Sequence, residues 1–244
     1  MQAEPAVQRE LLRLAGLDSD IARVTHLAKS LPQHQAIASL MEQRRELSDA
    51  LTAATTNADD LDVAARRAES DLVPVRARLE RDQQRLDDGS VTDAKAVQGL
   101  VAEIEHLTGR IATLEDEQLE AMSRAEEAAT HRDQLAQKKE AVEQQLRDEV
   151  TARDTAVAEL KAEAVGVAKS RKELASKLQG PLLDLYEKIR ATSGSGAGAL
   201  TGGRCGGCQL QLNVSDLNDI QQAPANAVLR CPECDRILVR TKEL

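Results

Sequence analysis

Apolar residues recur through most of the chain in alternating steps of three and four. Leu14, Leu17, Ile21, Val24, Ala28 and Leu31 open the series, and such steps mark the seam of a coiled coil. The pattern predicts a first helix over 6–31, with Gly16 as a local weak point. Ser30-Leu31-Pro32 interrupts it, because proline disfavours helix in the residue before it; a kink or short turn is expected there. A second helix is predicted from about Gln33 to about Leu86. Its seam is Leu47, Leu51, Ala54, Ala58, Leu61, Ala65, Ala68, Leu72, Val75 and Leu79. Pro74 lies inside this run, where a proline costs about 3 kcal/mol and removes a backbone hydrogen bond. The seam keeps its phase through Pro74, which predicts a bend; a true break is the alternative.

Asp87-Asp88-Gly89-Ser90-Val91-Thr92-Asp93 is the strongest turn signal in the helical part. Gly89 permits positive φ, and Thr92 or Ser90 can cap the next helix. The third helix is expected from about Ala94 to about Leu178. Val97, Leu100, Ile104, Leu107, Ile111 and Leu114 open its seam, and Gln118, Arg132 and Lys139 occupy weaker positions in the middle. The phase slips by one residue between Leu146 and Val150, a stutter-like irregularity. Val157, Leu160, Ala164, Val167, Arg171, Leu174 and Leu178 then resume it. Helices of about 55 and 85 residues would be about 80 and 130 Å long at 1.5 Å per residue. Neither is stable without burying its seam, and the short turn at 87–93 makes them antiparallel neighbours. The expected fold is mainly α, with a long helical hairpin over 1–178.

Gly180-Pro181 ends the long helix, and proline suits the first turn of a new one. Leu182, Leu183, Leu185, Tyr186 and Ile189 make that helix short and apolar, with Tyr186 expected where the helices meet the C-terminal part. Ser193-Gly194-Ser195-Gly196-Ala197-Gly198 has the composition of a flexible linker, so 179–198 is expected to join two domains. Its glycines are not followed by Gly-Lys-Ser/Thr or preceded by a strand, against a phosphate loop. The rest, 199–244, carries short runs at Ala199–Thr201, Gln209–Val214, Ala227–Leu229 and Arg236–Arg240, of which Gln209–Val214 alternates polar and apolar. They predict a small β-structure of three or four strands.

Composition narrows the picture. The 244 residues include one tyrosine, no phenylalanine and no tryptophan, so any core is built from Leu, Val, Ile and Ala. Charged residues make up 30%, mixed in sign along the helices, as in long helices and coiled coils. The sequence has no signal-peptide pattern and no apolar run near the roughly 20 residues of a membrane span, which points to the cytoplasm. The five basic residues of 193–244 (Arg204, Arg230, Arg236, Arg240, Lys242) match its five acidic ones (Asp216, Asp219, Glu233, Asp235, Glu243), so the net charge of −9 lies in 1–192. An acidic chain does not attract nucleic acid at long range. His26, His34, His106 and His131 are scattered without metal-ligand spacing and are expected to face solvent. No Ser/His/Asp or Cys/His set stands out, so no catalytic residues are assigned.

All four cysteines lie in the C-terminal part, as Cys205-Gly-Gly-Cys208 and Cys231-Pro-Glu-Cys234. Two tight turns with two thiolates each can close a tetrahedron around Zn²⁺, with Zn–S bonds of about 2.3 Å. Disulfides or redox dithiols fit less well, because no βαβ pattern surrounds either pair and the chain does not read as secreted. One structural Zn²⁺ is therefore expected on Cys205, Cys208, Cys231 and Cys234, with no ligand position left for water. Arg204, Arg230 and Arg236 lie beside the ligands and can offset the formal −2 of a Zn²⁺–thiolate site. They form, with Arg240 and Lys242, the candidate contacts to a partner or polyanion. The ribbon has no aromatic side chain to stack on bases.

Cys231-Pro-Glu-Cys-Asp-Arg-Ile-Leu238, Cys205-Gly-Gly-Cys208, Leu185-Tyr-Glu-Lys-Ile-Arg190 and the stretch 91–122 together resemble a bacterial family of coiled-coil proteins ending in a C4-type zinc ribbon. Asp235 departs from the glycine usual at that position, though aspartate tolerates positive φ better than most residues. The resemblance implies a helical hairpin with an appended ribbon. It also implies a noncatalytic binding protein, with some members tied to transcription, RNA or secretion machinery. The expected function is an adaptor or regulator that binds a protein partner; the alternative is a nucleic-acid-binding regulator acting through the ribbon.

Overall fold

The computed structural model describes residues 1–178 and 180–241. Among them are five helices, α1 (Pro5–Lys29), α2 (Pro32–Asp87), α3 (Ala94–Lys177), α4 (Pro181–Ser193) and α5 (Val214–Gln222). Four short strands, β1 (Ala197–Thr201), β2 (Arg204–Cys205), β3 (Leu229–Arg230) and β4 (Ile237–Arg240), complete the fold. The chain divides into two compact units, Gln35–Glu149 and the remainder, Met1–His34 with Val150–Leu244.

The first of these is the helical hairpin. Every predicted seam residue of α2 from Leu47 to Val75 and on to Leu79 is buried or half-buried, and Leu72, Ala54 and Ala58 are buried outright. On α3, Leu100, Leu107, Leu114 and Ala128 are buried. α2 runs through Pro74 without a break. The lost hydrogen bond is offset by the burial of Leu72, since a fully buried leucine stabilises by about 1.5–3 kcal/mol. Arg76 reaches Glu115 at 2.5 Å and Arg78 reaches Glu103 at 2.8 Å, linking the two helices at about 0–1 kcal/mol per exposed pair. Their pairing is antiparallel, as the turn requires.

Gly89 in that turn has φ +69, as expected. The cap of α3 is neither Ser90 nor Thr92. It is Asp93, whose carboxylate accepts the Ala96 N–H at 2.9 Å, because only the residue directly before the first turn can reach that donor. Ser90 instead braces the exit of α2, giving its N–H to Asp88 and its hydroxyl to the Arg85 carbonyl.

The second unit packs α1, the end of α3 and α4 against a four-stranded sheet of order β2-β1-β4-β3. β1 and β4 are parallel, with Ala197 opposite Ile237 and Leu200 opposite Arg240. Gly202 and Gly203 both take positive φ and turn β1 into β2, the geometry of a two-residue hairpin that matches strand twist. One core joins Leu11, Leu14, Leu178, Leu182, Tyr186 and Ile189 to Ala197, Ile237 and Val239. A second joins Leu200, Leu212, Ile220 and Leu238 to the cysteines.

Two expectations change here. Residues 193–198 are not a free linker, since the chain enters β1 at Ala197, and Gly196 and Gly198 are buried. A Cβ at Gly196 would collide with the carbonyl and ring of Tyr186, and one at Gly198 would lie 2.6 Å from the Gly207 nitrogen. These glycines permit close approach rather than freedom. Gln209–Val214 is not a strand either, apart from a single bridge at Gln211. Asn213 accepts the Asp216 N–H at 2.8 Å and starts α5, which buries Ile220 and leaves Val214 exposed. The signal was present as Asn213 followed by an acid three residues later.

Candidate metal centre

Each cysteine pair stands on a turn of the same construction. The Gln209 N–H donates to the Cys205 carbonyl at 2.8 Å, and the Asp235 N–H donates to the Cys231 carbonyl at 2.9 Å. The residue after each second cysteine takes left-handed backbone, φ 62 at both Gln209 and Asp235. In the first turn the Gly207 N–H also points at the Cys205 sulfur, 3.4 Å away. Asp235 thus fills the position where glycine is usual, and the Arg230 side chain pairs with its carboxylate.

Parallel pairing of β1 with β4 brings the two turns together. The Sγ atoms of Cys205 and Cys234 are 3.9 Å apart, as are those of Cys208 and Cys231. All four sulfurs lie within 4.8 Å of one another. A tetrahedron with Zn–S bonds of about 2.3 Å has edges of about 3.8 Å, so the four thiols fit one Zn²⁺. They are the single group of three or more possible ligands so placed among the described residues; the four histidines are all exposed. Cys205 and Cys231 are buried, and burial raises both thiols, Cys231 to about 12. Burial also works against the Cys234 thiolate, but hydrogen bonds from Arg236 and the neighbouring thiols outweigh it and bring Cys234 to about 7. Zinc, when bound, would hold all four as thiolates and leave no position for water. That is the form of a structural site.

The four arginines near the cysteines all have partners within the chain. Arg204 donates to Gln211, and Arg230 to Asp235. Arg236 donates to the carbonyls of Ser193 at 2.7 Å and Ser195 at 3.1 Å, with its stem over Gly207. Arg240 closes the end of α5 by donating to the carbonyls of Ile220, Ala223 and Pro224. Lys242 lies outside the described residues.

A second polar cluster joins α1, α3 and α4. Asp18 is buried and accepts from the Tyr186 hydroxyl at 2.6 Å and from Arg171 Nε at 2.5 Å. Arg171 also reaches Glu187 at 2.7 Å, and Glu187 accepts from Arg190 at 2.8 Å. Two carboxylates and two guanidiniums make the cluster neutral. Burial, then the Asp18 carboxylate, raises the Tyr186 phenol above its ordinary value. Burial works against the Glu187 carboxylate, but Arg171 and Arg190 hold it below its ordinary range. Asp18 lies off the 14-17-21 seam, one helical turn beyond Leu14 and in line with buried Leu11. Of its members only Arg171, at a seam position of α3, and Tyr186, the one tyrosine, stood out in the sequence.

A helical hairpin carried with a four-cysteine ribbon defines a class of zinc-ribbon coiled-coil proteins. Residues 14–194 match the CT398-like coiled coil hairpin domain and residues 204–238 the C4-type zinc ribbon domain. The chain belongs to this bacterial family. It is 37% identical over 240 residues to the Mycobacterium tuberculosis protein Rv2229c, covering 98% of each chain. A solved structure from Mycobacterium smegmatis matches with a TM-score of 0.81 at 36% identity, covering 98% of this chain and 100% of that one. The structure of CT398 from Chlamydia trachomatis shares the fold at a TM-score of 0.62 and 14% identity, with 97% and 98% covered.

Proposed function

We propose that this protein is a noncatalytic adaptor of the cytoplasm that binds a protein partner, with the zinc ribbon as a docking head. The observation that carries this reading is the use of the ribbon's chemistry for its own architecture. Its four thiols complete one closed metal site, and the arginines beside them bond to the chain itself. Such a site has no open coordination position for a reacting water. The grooves on the helices are open and lined by charged side chains such as Glu42, Arg45, Asp49 and Glu143, which suits a contact surface better than an enclosed reaction. Among the described residues no helix is long and apolar enough to cross a membrane.

The test is capture from native lysate on the full chain, with and without nuclease, alongside a salt titration with RNA and DNA. The adaptor reading expects a partner that survives nuclease and no nucleic-acid binding at low salt. Binding to RNA or DNA that falls steeply with salt, as phosphate contacts require, would replace it with the nucleic-acid regulator.

A further inference from the structure

The small sheet stands between two cores, and one strand serves both. Ile237 and Val239 of β4 pack with Leu11 and Leu14 of α1, Leu178, and Leu182 and Tyr186 of α4. Leu238, between them, packs with Cys205, Cys231, Leu200 and Leu212. β1 divides the same way, with Ala197 in the first core and Leu200 in the second. Alternate side chains of a strand point to opposite faces, so neither core is complete unless the sheet is formed.

Polar contacts tie the same parts together. The Ala3 N–H donates to Asn226 at 2.8 Å, and the Val228 N–H donates to Met1 at 3.2 Å. Buried Gln8 on α1 donates to the carbonyl of Ala3 at 2.8 Å and of Ala227 at 3.4 Å. From the other side, Arg236 fastens the second cysteine turn to the end of α4. The start of the chain and α1 are thus held by the segment that leads into Cys231.

The sheet cannot hold itself. β2 and β3 are two residues long, and the core beneath them is centred on the cysteines. In such a domain, metal binding is folding free energy. We propose that zinc occupancy switches the packing of α1: the ion that closes the cysteine site also holds α1 and the N-terminal residues in place. Its loss frees them while Gln35–Glu149 keeps its structure. The inference rests on the structural zinc and is independent of the partner.

Hydrogen exchange on the full chain, zinc-loaded and after chelation, tests this, with zinc content measured in both samples. The expected result is loss of protection across residues 5–29 together with 197–240, and retained protection across 47–128. Unchanged protection of α1 in a sample shown to be zinc-free would overturn the switch, as would loss of protection throughout the chain. A chain that takes up no zinc overturns the site assignment and the switch with it. Coupling is reciprocal, so a core change on α1 must be felt at the metal. Leu14→Ala should weaken zinc binding about 30-fold or more in competition with a chromophoric chelator, whereas Leu72→Ala in the hairpin should leave it unchanged. Equal zinc affinity in both variants would overturn the coupling.

Discussion

Asp18 and Tyr186 are 168 residues apart in the chain and meet at 2.6 Å. Removing the hydroxyl by Tyr186→Phe leaves a buried carboxylate one donor short. The expected cost is about 1–3 kcal/mol, read as a lower unfolding midpoint by circular dichroism. The same pair sets a pH dependence. The folded state raises the Tyr186 phenol, so its neutral form is favoured on folding. That contribution is complete below the unfolded value of about 10 and is lost as pH rises through the higher folded value. Thermal midpoints between pH 8 and 12 should fall more steeply in the wild type than in Tyr186→Phe. At the metal site, Gln209 holds φ 62, a conformation that costs a side chain about 1–2 kcal/mol. Gln209→Gly should therefore raise the unfolding free energy of the zinc-loaded chain by about 1 kcal/mol in a denaturant titration, and Gln209→Val should lower it. The cysteine spacing made the ligands legible, and the family's usual glycine pointed to the special backbone at Asp235. The Asp18 cluster was not legible, because its members belong to three helices with no periodic relation.

Among the elements, the long helices were the most readable, because each repeats one local rule over many turns. Their ends obey side-chain reach instead. The cap of α3 fell to Asp93, and Asp93→Ala should cost about 1 kcal/mol, measured as a shift in urea unfolding followed by helix signal. The least readable element was β1. The Ser/Gly composition of 193–198, which runs into its first residues, describes a linker as well as a backbone pressed against Tyr186 and the first cysteine turn. Gly196→Ala distinguishes these: a linker would tolerate it, and the packed strand predicts a clear loss of stability in the zinc-loaded chain. α5 was hidden for a related reason, since Gln209–Val214 alternates apolar and polar residues while Asn213 already commits the next turn to helix.

At the scale of the molecule, two sets of buried side chains belong to two units. Substitutions should sort accordingly in calorimetry. Leu72→Ala acts on the hairpin and Tyr186→Phe on the unit that contains the sheet, so the two variants should shift different parts of the unfolding profile. A single transition moved equally by both would mean one cooperative block. The sequence by itself determined the long helices, the hairpin turn and the four zinc ligands, because apolar periodicity, turn chemistry and thiol spacing are local properties. Only the tertiary structure decided that α1 also buries Gln8, Leu11 and Asp18 outside its predicted seam, that the arginines beside the cysteines bond to the chain itself, and that Gly196 and Gly198 mark close packing. Those features depend on which distant backbone and side chains arrive beside them, and no local pattern carries that information.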